Sequence, residues 1–123
     1  MRRTTVGIVG QGFVGSAVYA GFKDYFQTET FDIAKDSTCD SLKELIEKCQ
    51  FIFLCLPTPM DEDGSCYTGM VEDVIKDINR MTTKKKVLIV KSTIPPGTTD
   101  GWNKKYDQVD IVFNPEFLTE ANA

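Results

Sequence analysis

The chain has 123 residues, 14 basic and 18 acidic, with no histidine and a hydrophobic share of 41%. That length suits one compact domain with enough apolar material for a core, and a net charge of −4 argues against a duplex nucleic-acid surface, which needs clustered Lys and Arg. Without histidine, Ser-His-Asp and Cys-His catalysis and His-ligated zinc are excluded, so proton chemistry must use carboxylate, lysine, thiol, hydroxyl or water.

The N-terminus reads MRRTTVGIVGQG. Two arginines precede an apolar run, Val6 to Val9, that is too short for an export signal. No stretch approaches the ~20 apolar residues that span a bilayer, so a cytoplasmic protein without membrane or nucleic-acid partners is expected. Thr4 to Val9 is rich in β-branched residues, ends at glycine and predicts a buried strand. Val14, Ala17, Val18, Gly21 and Phe22 then fall on one face of a helix. Glu29 to Asp32 predicts a second, short strand. In DSLKELIEKC, Ser41 and Glu44 form a capping box, and Leu42, Leu45, Ile46 and Cys49 repeat the helical spacing. Phe51 to Leu56 is an unbroken apolar run, expected as a strand buried on both faces. Pro57 to Tyr67, with its prolines, glycine and acids, predicts a loop, and Val71, Val74, Ile75 and Ile78 predict a third helix. Val87 to Val90 is a strand, Thr98 to Tyr106 a short helix with Trp102 and Tyr106 on one side, and Ile111 to Phe113 the last strand.

Strands alternating with helices imply an α/β fold: a Rossmann-type, doubly wound parallel sheet with helices on both faces. Right-handed crossovers leave few topologies, of which the strand order 3-2-1-4-5 is expected. Cys39, Cys49, Cys55 and Cys66 contain no CxxC pair and are expected as free thiols, with no metal site.

Gly10-Gln11-Gly12-Phe13-Val14-Gly15 is GxGxxG between a predicted strand and a predicted helix, the context a dinucleotide-binding turn requires. Gly10 would allow the tight turn, Gly12 the close approach of a pyrophosphate, and Gly15 close packing of helix on strand. The helix N-terminus offers N–H groups to the phosphates; the alternative is a glycine turn that only packs tightly. Asp32 lies 22 residues after Gly10, where a carboxylate can accept from the adenosine ribose hydroxyls and repel a 2′-phosphate. This favours NAD over NADP. Lys35 could add a contact or be a solvated surface lysine.

Three further loops pair proline with a hydroxyl or carboxylate at a strand end: Phe53 to Pro59, Lys91 to Thr99 and Asn114 to Ala123. In order, the motifs GIVGQGFVG, LPTP, DEDGS, KSTIPPGT and NPEFLTE resemble the N-terminal NAD-binding domain of the UDP-glucose/GDP-mannose dehydrogenase family. The likeness runs from Val6 to the end and is strongest to the members that oxidise UDP-glucose. It implies oxidation of a nucleotide sugar's C6 alcohol to a carboxylate, UDP-glucuronate when the sugar is UDP-glucose. Two NAD-dependent hydride transfers do this through an aldehyde and an enzyme-bound thioester. UDP-N-acetyl-mannosamine or GDP-mannose oxidation, or a non-catalytic NAD-binding module, are the alternatives.

By the same resemblance, Gly10, Gln11, Gly12, Phe13, Val14, Gly15 and Asp32 would hold the ADP half of NAD. Leu56, Pro57 and Thr58 would line its adenosine side, and Ser92, Thr93 and Ile94 its inner part. Thr93 would also position a catalytic water. Glu116 would be the proton donor or acceptor, Phe117 and Leu118 would give backbone to the sugar-nucleotide site, and Glu120 would sit by the nicotinamide and the hydrolytic water. A carboxylate closed into a dry cleft can have its pKa raised toward the working pH, which suits a base. Residues 1–123 would be the NAD-binding domain, with the family's central helix, sugar-nucleotide domain and nucleophilic cysteine beyond Ala123, and the full-length protein a homo-oligomer. The chain alone is therefore expected to bind NAD without completing the second oxidation. One departure stands out: 18 residues separate Asp32 from Phe51, so one βα excursion of the family is trimmed.

Overall fold

The computed structural model describes residues 5–10, 13–32, 37–56, 69–92, 94–95 and 97–114; for Phe13 and Val14 it gives the helical backbone. The elements run β1 (Thr5–Val9), α1 (Phe13–Phe22), β2 (Gln27–Phe31), α2 (Leu42–Lys48), β3 (Phe51–Leu54), α3 (Gly69–Met81), β4 (Lys86–Val90), α4 (Thr98–Lys105) and β5 (Val109–Phe113). Each predicted strand and helix is present, with ends shifted by a residue or two. Ser41 caps α2, its Oγ accepting from the Glu44 N–H at 3.1 Å, while the Glu44 carboxylate accepts from the Asp40 N–H at 2.9 Å. The capping box thus closes one residue earlier than its usual form.

All the strand pairs are parallel, in the order β2-β1-β3-β4-β5. The expected order 3-2-1-4-5 is corrected: β3 pairs with the far side of β1, not with the outer edge of β2. The reason is apolarity. β3 reads FIFL and belongs in the middle of a parallel sheet, whereas β2 reads QTETF and tolerates water at an edge. The chain turns from β1 to β2 on one side and then crosses to β3 on the other, which puts the switch point between β1 and β3.

Helices cover the two faces unequally. Leu45, Ile46, Val71, Ile75, Ile78 and Trp102, from α2, α3 and α4, pack on the row Ile52, Leu88 and Ile111 in one core. Among the described residues α1 is the helix on the opposite face, its Phe22 ring 5.1 Å from that of Phe53. Burial there falls along the paired row Ile8, Phe53, Ile89, Val112, from 0% exposure at Ile8 to 49% at Val112. Val6, Phe22, Phe26, Phe51, Phe53 and Ile89 line a shallow apolar groove of about 310 Å³ beside α1. The expectation that Phe51–Leu56 is buried on both faces is therefore half met, with Phe51 39% exposed. The predicted stripe of α1 is loose for the same reason: Val18 and Phe22 are half-buried, but Ala17 and Gly21 face solvent.

Candidate functional site

Parallel strands bring their C-terminal ends to one edge of the sheet, and a repeated hydrogen bond aligns the loops that leave it. The first residue after a strand donates its N–H to the last carbonyl of a neighbour. Gly10 donates to Phe31 (2.8 Å), Cys55 to Val9 (2.9 Å), Lys91 to Leu54 (2.9 Å) and Asn114 to Val90 (3.0 Å). The roots of the glycine turn, the LPTP loop, the KSTIPPGT loop and the NPEFLTE segment are thereby fixed side by side.

The glycine turn is built as its sequence predicts at the positions described. Gly10 has φ +99°, a left-handed conformation that favours glycine, and a Cβ there would run into the Cys55 carbonyl. Gly15, in the first turn of α1, is buried, and a Cβ on it would collide with the Gly10 carbonyl, whose carbon lies 2.8 Å away. The start of α1 thus rests directly on the end of β1. Because Gly10 is bonded to Phe31, the half-buried Asp32 follows immediately beside the turn. A tight glycine turn leading to the head of a helix, with an acid one strand away, is the arrangement expected of a dinucleotide cradle.

Leu56 and Ser92 meet at the ends of β3 and β4. The Leu56 N–H donates to Ser92 Oγ at 3.0 Å, and the same hydroxyl donates to the Leu56 carbonyl at 2.6 Å. Ile94 is buried and belongs to the main core. Gln11, Gly12, Lys35, Pro57, Thr58, Thr93, Glu116, Phe117, Leu118 and Glu120, and the thiol Cys66, lie outside the described residues. Sequence reading missed the part played by Cys55, which it weighed only for its thiol side chain; its carbonyl is what a Cβ on Gly10 would meet. No signal in the sequence marks that contact, because it crosses between strands.

The other ionisable groups serve the frame. Cys39, Cys49 and Cys55 are buried, and Cys39 and Cys49 are free thiols. Burial pushes the Cys39 thiol up to about 11 and the Cys49 thiol up to about 12, so neither is a ready thiolate nucleophile. Burial also lowers the Lys86 ammonium from its usual range. On α3, Glu72 accepts from the Tyr106 hydroxyl at 2.6 Å and from Lys105 Nζ at 2.9 Å, tying α3 to α4. Among the described residues no group of three His, Cys, Asp or Glu is gathered for a metal, and no helix is long and apolar enough to cross a membrane.

Comparison with known proteins agrees with this arrangement. Residues 27–123 match the model of the UDP-glucose/GDP-mannose dehydrogenase family, NAD binding domain. A UDP-glucose 6-dehydrogenase of Campylobacter jejuni is 37% identical over 93 residues, covering 75% of this chain and 23% of the relative. Among solved structures, a UDP-glucose dehydrogenase from Pyrobaculum islandicum superposes with a TM-score of 0.84 at 21% identity, over 99% of this chain and 38% of that one. A GDP-mannose dehydrogenase from Pseudomonas aeruginosa gives 0.80 at 19% identity, over 96% of this chain and 37% of that one. At those identities the two structures speak for the fold. The chain spans under a quarter of the curated relative and under two fifths of each solved one.

Proposed function

Because the chain belongs to the UDP-glucose/GDP-mannose dehydrogenase family, as an NAD-binding domain, we propose that it is the dinucleotide-holding part of a UDP-glucose 6-dehydrogenase. Such an enzyme takes the C6 alcohol to the carboxylate in two hydride transfers. The observation that carries this reading is the switch-point cradle: Gly10 in its left-handed turn, Gly15 pressed on the Gly10 carbonyl, and Asp32 held next to them.

In this reading the N–H groups at the start of α1 receive the pyrophosphate, with Gln11 and Gly12 between Gly10 and the helix. Asp32 accepts from the ribose hydroxyls of the adenosine, and its charge disfavours a 2′-phosphate. Leu56, Pro57 and Thr58 line the adenosine side, with Lys35 as a further contact, and the Ser92–Ile94 segment borders the inner half. NAD, when bound, supplies the hydride acceptor. Glu116 moves the proton at the reacting carbon, Thr93 and Glu120 hold the water, and Phe117 and Leu118 give backbone to the sugar nucleotide. The whole protein works in the cytoplasm, in keeping with the buried free thiols of Cys39 and Cys49, and as a homo-oligomer.

The test is calorimetric titration of the chain with NAD and NADP, repeated on Asp32→Ser. NAD is expected to bind at least about tenfold more tightly than NADP, and the substitution to cost NAD about tenfold and to narrow the preference. Equal affinity for the two dinucleotides, or none for either, refutes the reading. The substrate is decided by following NADH absorbance with UDP-glucose, UDP-N-acetyl-mannosamine and GDP-mannose on the protein expressed from its whole reading frame.

A further inference from the structure

The ladder between β3 and β4 ends in an unusual rung. Among the described residues, its backbone bonding at this end reaches the Lys91 N–H, which donates to the Leu54 carbonyl at 2.9 Å. The next rung is made by a side chain. Ser92 Oγ accepts from the Leu56 N–H at 3.0 Å and donates to the Leu56 carbonyl at 2.6 Å, so one oxygen holds both polar backbone groups of a residue 36 positions away. A hydroxyl has one proton, and here Leu56 receives it.

We propose that Ser92 is a positioning residue that sets the gap between the loops rooted on β3 and β4, acting through the Leu56 backbone and not by giving its hydroxyl to the dinucleotide. This rests on the reading of the site given above. Two features make Ser92 the fixed partner. It is 7% exposed, and two residues on, Ile94 is sunk in the core, so the β4 loop is anchored to the body of the domain. Leu56 itself is only partly buried, its side chain packed against the core. The next residue, Pro57, has no N–H to donate and confines Leu56 to extended backbone. Without the hydroxyl, Leu56 would lose the partner of its N–H and of its carbonyl together. The LPTP loop would then keep the Cys55 bond to Val9 and the packing of the Leu56 side chain at its root, but lose its bridge to Ser92.

Amide hydrogen exchange at Leu56 and NAD titration, on the wild type, Ser92→Ala and Ser92→Thr, decide the matter. In Ser92→Ala the Leu56 amide of the ligand-free protein is expected to exchange at least about tenfold faster, with β1 amides unchanged, and the NAD dissociation constant to rise about tenfold. Ser92→Thr, which keeps the hydroxyl, should restore both; the alanine variant decides alone where threonine does not fold. A loss of NAD affinity with Leu56 protection intact overturns the proposal in favour of direct contact. Lost protection with unchanged affinity also overturns it, because the bond would then serve stability only. A wild type that takes up no NAD sinks the reading of the site itself, a different failure.

Discussion

Gly15→Ala separates close packing from helix propensity, because the two effects have opposite signs at this position. Alanine is the better helix former by about 1 kcal/mol, so an unobstructed substitution inside α1 should stabilise. The added methyl is obstructed. It would lie 2.8 Å from the Gly10 carbonyl carbon, closer still to the oxygen, and 3.4 Å from Cys55 Cβ, where real Cβ atoms keep at least 3.0 Å. The obstacle is backbone held by the bond from the Gly10 N–H to Phe31, so no rotamer relieves it. Either α1 or the turn must yield by about 1 Å, and overpacking of this kind costs about 1–3 kcal/mol. A net loss of up to about 2 kcal/mol is expected after the propensity gain. Gly101→Ala is the control: that residue lies within α4, a Cβ on it meets nothing within 4 Å, and a gain of up to about 1 kcal/mol is expected. Urea midpoints at constant m-value measure both. NAD titration should show Gly15→Ala weakened about tenfold or more, because the displaced helix start would carry the phosphate site with it. If Gly15→Ala raises the midpoint as Gly101→Ala does and binds NAD like the wild type, the close-packed cradle is wrong.

Two further substitutions probe the frame. Tyr106→Phe removes the 2.6 Å bond to Glu72 and should cost about 1–2 kcal/mol near neutral pH. The hydrogen bonds from Tyr106 and then Lys105 hold the Glu72 carboxyl below its usual 4.5, so its stabilisation is full above that value and is lost as pH falls through the lowered one. Urea titrations between about pH 6 and pH 3 should therefore show a shallower acid loss in the variant than in the wild type, and parallel curves would contradict the assignment. Ser41→Ala deletes the 3.1 Å cap on the Glu44 N–H and should lower stability by about 1 kcal/mol, read from the urea midpoint; an unchanged midpoint would show that the cap contributes nothing.

The elements and the glycine turn could be read from the chain because their causes are local. A β-branched run, a helical stripe and a GxGxxG between them each lie within a dozen residues. Strand order could not be read from alternation, although the clue was present in QTETF against FIFL: the polar strand belonged at the edge and the apolar one beside β1. Burial of β3 was overestimated because an apolar run records what a strand can tolerate. What covers it depends on which helices arrive, and α1 reaches only part of that face. The Ser92 bond to Leu56 joins residues 36 apart, and neither residue type announces it. The proton-handling roles proposed for Glu116 and Glu120 came from the NPEFLTE resemblance and from no pattern of spacing.

The short connection between Asp32 and Phe51 bears most directly on the proposed cofactor site, because β2 is a sheet edge with Asp32, the acid proposed to bind the ribose, next to its end. A bare edge would fray, and with it the position of Asp32. The intervening segment prevents this at Thr30, two residues before the acid. The Thr30 N–H donates to Thr38 Oγ1 at 2.7 Å, the Thr38 N–H donates to Thr30 Oγ1 at 2.9 Å, and the Cys39 N–H donates to the Thr30 carbonyl at 2.9 Å. Thr38 in turn donates to Glu29 at 2.9 Å; burial works against that carboxylate, but hydrogen bonds from Thr38 and Gln27 hold its pKa below the usual value. At the opposite edge the Asn103 amide does similar work, accepting from the Ile111 N–H at 2.8 Å and donating to its carbonyl at 2.9 Å. Side chains and a short stretch of backbone thus stand where a further strand would pair. The connection can shorten without loosening Asp32, because the acid's place is fixed from both sides: by the seal at Thr30 and by the Gly10 N–H on the Phe31 carbonyl.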